Sequence, residues 1–199
     1  MKFEKTEMHA TVCEGYQVLL SADASLLMPV EHPKICAFYE KLANACVKWA
    51  VEVHGEGLRR EFLALESLRE RGGFRLQRYR LRMKIAYEDA YYAAFVCESN
   101  LTDQWREPQK SYHRISQVWD LREQTILPLQ QVLSRFGMRV GKRDLPFPPD
   151  GVYPEEGALV CFRNVTDRTP FLEKKLPRGR KEQESSKKME KNNENVLKS

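Results

Sequence analysis

Hydrophobic positions change their spacing several times along this chain, and each change marks an element. Residues 74–87 alternate. Tyr79, Leu81, Met83, Ile85 and Tyr87 fall on one side, and Arg78, Arg80, Arg82 and Lys84 on the other. A period of two predicts a strand with one buried face. Glu88-Asp89 predicts a turn, and Tyr91 to Glu98 the returning strand. A polar loop, Ser99 to Lys110, leads to a third strand, Tyr112 to Leu121. After a turn at Arg122 to Thr125, Leu127-Pro128-Leu129 opens a short helix, Gln130 to Arg135, ended by Gly137. The proline-rich stretch Leu145 to Pro154 reads as a loop before a last strand, Ala158 to Val165.

Upstream the period is helical. Pro33 suits a first helical residue. Ile35, Phe38, Leu42, Cys46, Trp49 and Val53 then recur at intervals of three and four, which places them on one face. Gly55 and Gly57 weaken the helix by about 1 kcal/mol each. Beyond them Leu58, Phe62, Leu65 and Leu68 resume the spacing until Gly72-Gly73. The pattern predicts one long helix with a soft middle. Residues 9 to 20 hold two short β-type runs around Gly15, read as a strand or hairpin. Together these elements predict an α+β domain: one long amphipathic helix packed on a mostly antiparallel β-sheet, with a short second helix near the C-terminal part.

Charge changes this picture at one end. The chain has 33 Lys/Arg and 28 Asp/Glu, a net of +5. Residues 174–199 hold nine of the basic and four of the acidic residues, so residues 1–173 carry 24 of each and are formally neutral. The basic character therefore belongs to the end of the chain and says nothing about nucleic-acid binding by the rest. Residues 174–199 also lack aromatics, and such a segment buries too little to offset the entropy of ordering. The expected organisation is a single domain over 1–173 and a disordered basic tail over 174–199. The start, Met1-Lys2-Phe3-Glu4-Lys5, has charges where a secretion signal is apolar, and no run is long enough to span a bilayer. As written, the chain reads as cytoplasmic. Its five cysteines are dispersed and read as small buried hydrophobes.

The candidate chemistry is sparse. Cys97 and His113 fall on neighbouring predicted strands, yet no third group orients them, so no catalytic residue is assigned. His9 with Cys13, and His32 with Cys36, have a spacing of four but not that of a structural zinc site, so no metal and no cofactor is assigned either. The strand face of Arg78, Arg80, Arg82 and Lys84, extended by Arg75 and with Tyr92 and Trp105 as aromatic neighbours, is the candidate binding surface. The competing reading is a solvated sheet face.

Arg114-Ile115-Ser116-Gln117-Val118-Trp119-Asp120-Leu121, followed by Ile126-Leu127-Pro128-Leu129 and Val132-Leu133, resembles the strand, turn and short helix that close the RsiV-like domain. That domain is the extracytoplasmic part of lysozyme-sensing anti-sigma factors and occurs in many uncharacterised Firmicute proteins. Phe38 to Leu42 through Lys48-Trp49-Ala50 is similar to the family's long helix, Tyr87-Glu88-Asp89 to its hairpin turn, and Val152 to Val160 to its final strand. Where the family usually has a Gly-Gly-Ala-His-like segment, this chain has Asn100 to Arg106. The resemblance implies a non-enzymatic module that binds a protein or a ligand. The alternative expectation is a cytosolic nucleic-acid- or polyanion-binding protein using the arginine face and the tail.

Overall fold

The computed structural model describes residues 1–65, 76–103, 111–136, 147–165 and 171–177. The expected helix stop at Gly72-Gly73, the basic Arg75, the aromatic Trp105, the short-helix stop at Gly137 and residues 178–199 lie outside them.

The chain begins with a long antiparallel hairpin, β1 (Phe3–Glu14) and β2 (Gln17–Pro29). Gly15 makes the turn at φ +58°, a conformation that costs glycine little. Helix α1 (Pro33–Trp49) follows, continues through a π-helical segment (Ala50–Gly55) and ends in α2 (Glu56–Ala64). Strand β3 (Gln77–Glu88) then returns parallel to β2, and β4 (Tyr92–Asp103), β5 (Ser111–Asp120) and the short β6 (Thr125–Ile126) extend the sheet antiparallel. The sheet thus runs β1-β2-β3-β4-β5-β6. Helix α3 (Leu129–Arg135) leads to a second, three-stranded antiparallel sheet of β7 (Gly151–Glu155), β8 (Ala158–Asn164) and β9 (Phe171–Pro177).

This architecture corrects the expected fold. Strand residues outnumber helical ones about two to one among the described residues, so the protein is not chiefly a long helix on one antiparallel sheet. There are two sheets and two cores. The helical region covers one face of the large sheet, where Leu20, Ala24, Leu26, Tyr79, Leu81 and Phe95 meet Ile35 and Tyr39. The small sheet and α3 cover part of the other face, where Ala94, Val96 and Val118 meet Val152, Leu159 and Phe162. The β2–β3 junction is parallel because the chain between them is a helical crossover. Strand β7 lies within the stretch expected to be a loop. Strand β9 runs from Phe171 to Pro177. No helix among the described residues is long and apolar enough to cross a membrane.

The buried helix face also differs from the expected one. Ile35, Tyr39, Ala43, Val47 and Ala50 are buried, Phe38, Leu42 and Cys46 are half-buried, and Trp49 and Val53 are 50% and 53% exposed. Tyrosine and alanine register weakly in a hydrophobic pattern, yet Tyr39 is fully buried because its hydroxyl is satisfied. The soft middle of the helix is the π segment. It brings Gly55 against β1 so closely that a Cβ there would stand 2.5 Å from Val12 Cγ2.

Candidate functional site

The residues that carry the family resemblance mostly hold the fold together. Strand β5 directs Gln117 and Trp119 toward α1. Tyr39 Oη donates to Gln117 Oε1 at 2.9 Å and accepts from Trp119 Nε1 at 3.1 Å, so buried Tyr39 and Trp119 are satisfied through half-buried Gln117. Asp120 accepts from the backbone amides of Arg122 and Glu123, both at 3.0 Å, and closes the β5–β6 turn. Asp89 accepts from the amides of Tyr91 and Tyr92 at 2.7 Å and from Tyr87 Oη at 2.6 Å, which fixes the β3–β4 turn.

Arg114 joins the two sheets. It points to the opposite face from Gln117 and is 5% exposed. Its guanidinium meets Glu98 at 2.8 Å and Glu173 at 2.5 Å, donates to Tyr153 Oη at 3.3 Å and lies 5.3 Å from the centre of the Phe162 ring. The Asn164 side chain pairs with both backbone groups of Arg114, accepting from its amide at 2.7 Å and donating to its carbonyl at 3.0 Å. An asparagine at the end of β8 thereby stands in for a neighbouring strand on the free edge of β5.

Beside this joint lies a cleft of about 530 Å³ between the end of α1 and strands β3, β4 and β5. Tyr79, Leu101 and Ile115 line its apolar wall, and Trp49 forms its lip. The Trp49 ring packs edge-on to His54 at 4.7 Å and lies 6.3 Å from the Tyr79 ring. The π segment places this pair, and π segments recur at functional sites because they re-aim a few side chains without breaking the helix. Ser99 and His113 supply polar groups. His54 Nε2 is buried without a hydrogen-bond partner. Burial pushes the Tyr79 phenol up and pulls the His54 imidazole below its ordinary value. The cleft's size and its few polar groups on an apolar wall are those of a small-molecule or side-chain pocket.

The residues singled out from the sequence are only partly brought together. Cys97 and His113 do line this same cleft. Burial, however, pushes the Cys97 thiol up to about 12, the opposite of an activated nucleophile. Arg78, Arg80, Arg82 and Lys84 stand exposed on the other face of the large sheet. Tyr92 is not beside the first of them. Arg78 lies opposite Thr102, ten residues and about 30 Å along β4 from Tyr92. Tyr92 instead packs between Phe136 and Arg135, with ring and guanidinium at 6.0 and 5.2 Å. His9 pairs with Asp23 at 2.6 Å and Cys36 donates to the Pro29 carbonyl at 3.2 Å, so each is engaged away from its expected partner. Among the described residues, no three His, Cys, Asp or Glu side chains are grouped to hold a metal ion. The cleft itself escaped the sequence pattern because its walls come from five elements, α1, β3, β4, β5 and the end of β8. Its one local signal was Trp49 at the weak point of the helix.

No protein-family model matches the sequence, and no curated protein matches it significantly. Solved structures do. A DUF3298 family protein from Pseudomonas aeruginosa PAO1 superposes with a TM-score of 0.52 at 15% identity, covering 88% of this chain and 89% of that one. A DUF3298 family member from Bacteroides fragilis NCTC 9343 gives 0.51 at 12% identity, covering 88% and 90%. At such identities the likeness is one of fold: this chain has the α+β architecture seen in DUF3298 proteins, a family defined as a domain of unknown function.

Proposed function

We propose that the protein is a non-enzymatic binding module of the RsiV-like kind, and that it takes an apolar ligand group in the cleft between Trp49 and strands β3 to β5. The observation that carries this reading is the cleft's composition, an apolar wall with a half-exposed tryptophan at its mouth. The non-enzymatic part rests on the chemistry of the lining. The Cys97 thiol in it is inert through burial, and the exposed His113 imidazole has no orienting partner among the described residues. The fold likeness to DUF3298 proteins is compatible with the reading and supplies no activity.

The test uses 1-anilinonaphthalene-8-sulfonate, an apolar dye that brightens in dry pockets. Native protein is expected to bind it at one site. Ser99→Trp, which puts an indole into the cleft from its β4 wall, is expected to weaken binding by about tenfold or more. Equal binding by the two proteins, with matched unfolding midpoints, would reject the cleft as the site.

A further inference from the structure

The face of the large sheet opposite the helix carries an anion site that the cleft does not explain. Pairing across the strands builds two rows there. One runs His9, Asp23, Arg80, Asn100 and Tyr112, and the next Glu7, Ser25, Arg82, Glu98 and Arg114. An open trough of about 750 Å³ follows them, lined by Lys5, Glu7, His9, Ser25, Arg80 and Arg82. Charges on such a face ordinarily cancel their neighbours. Here each carboxylate is already committed elsewhere. Asp23 accepts from His9 at 2.6 Å and Ser21 at 3.2 Å. Glu7 pairs with Lys5. Glu98 is shared by Arg114 at 2.8 Å and Lys84 at 3.1 Å. Among the described residues this leaves the side chains of Arg78, Arg80 and Arg82 exposed and without an ion pair or hydrogen bond.

We propose that these three arginines dock an extended acidic peptide segment of a partner protein, with Asp or Glu at every second position. The spacing supports this occupant. Same-face side chains on a strand recur about every 7 Å, so a peptide in the same extended conformation presents carboxylates at the interval of Arg78, Arg80 and Arg82. The guanidinium fork matches the carboxylate. A single-stranded nucleic acid fits less well, because it needs aromatic platforms along the arginines, whereas Tyr112 lies two strands from Arg80 in its row and Tyr92 packs with α3.

Full-length protein is titrated with a fluorescein-labelled peptide of alternating glutamate and serine. The comparison probes are a peptide of the same composition with its glutamates contiguous, oligothymidylate, and a heparin fragment. The alternating peptide is expected to bind best, and more weakly as salt rises. The double variant Arg80→Glu with Arg82→Glu is expected to weaken it by about tenfold or more, whereas Lys41→Glu on the exposed side of α1 leaves it unchanged. The neutral pair Arg80→Gln with Arg82→Gln, checked for an unaltered melting temperature, should show a smaller loss in the same direction. Residues beyond Pro177 are identical in every protein compared, so their basic charge cancels from the differences. Tighter binding of the contiguous peptide, oligothymidylate or heparin would overturn the peptide occupant. Binding indifferent to Arg80 and Arg82 would overturn the site.

Discussion

Replacing Arg114 by alanine removes a buried cation that ties β5 to β9. Deleting one partner of a buried ion pair costs about 3–5 kcal/mol, chiefly because the other charge is left without compensation. Two features place this case at the lower end. Glu98 keeps Lys84 at 3.1 Å, and the Glu173 side chain is 30% exposed and can be rehydrated. The lost contact with Phe162 and the lost aliphatic stem add to the cost. The expected destabilisation is about 3 kcal/mol. With a urea dependence of about 2 kcal/mol per molar, the unfolding midpoint should fall by about 1.5 M. Arg114→Lys keeps the charge but loses the fork, and should fall between the two. Amide hydrogen exchange should locate the damage, with β9 losing protection before β2. A midpoint shift below about 0.5 M, or protection lost first in the β1–β2 hairpin, would refute the joint.

Three further outcomes follow from single contacts. Gly55→Ala forces a Cβ to 2.5 Å from Val12 Cγ2 and should cost about 1–3 kcal/mol in urea unfolding, with Val12→Ala in the same chain recovering part of the loss. Burial lowers the His54 pKa, so the unfolded chain binds the extra proton first as pH falls. The stability of the neutral form is full above the ordinary histidine value of about 6.5 and is lost toward the depressed folded value. His54→Gln should therefore flatten the urea midpoint between about pH 7.5 and 5.5, and an unchanged slope would reject His54 as its source. Thiol labelling of native protein should reach exposed Cys13 quickly and buried Cys97 and Cys161 only on unfolding, as followed by mass spectrometry.

Local periodicity made the elements of this fold legible, and the layers were not legible in the same way. The alternation around Tyr79, Leu81 and Met83 gave β3 and its buried face correctly. The run Ala93 to Cys97 held a second message. A strand apolar at every position is covered on both faces, and Ala94 and Val96 do lie under the small sheet. A strand, a helical crossover and another strand likewise pointed to a parallel pair. On α1 the pattern found the helix but rotated its core face, because Tyr39 is buried only through Gln117 and Trp119, about 80 residues away. The arginine stripe was legible. That its neighbouring carboxylates are all engaged was not, since the pairs of Asp23 and Glu98 draw on strands β1 to β5.

The central claim is that the cleft beside Trp49 is where the protein binds. Chemical-shift mapping of backbone amides and tryptophan indole N–H groups with 1-anilinonaphthalene-8-sulfonate tests it most directly. The account predicts saturable shifts concentrated at Ser99, Leu101, His113, Ile115 and the Trp49 side chain, with the trough around Ser25 and Arg82 silent. Shifts confined to that trough, or spread over the surface without saturation, would contradict it.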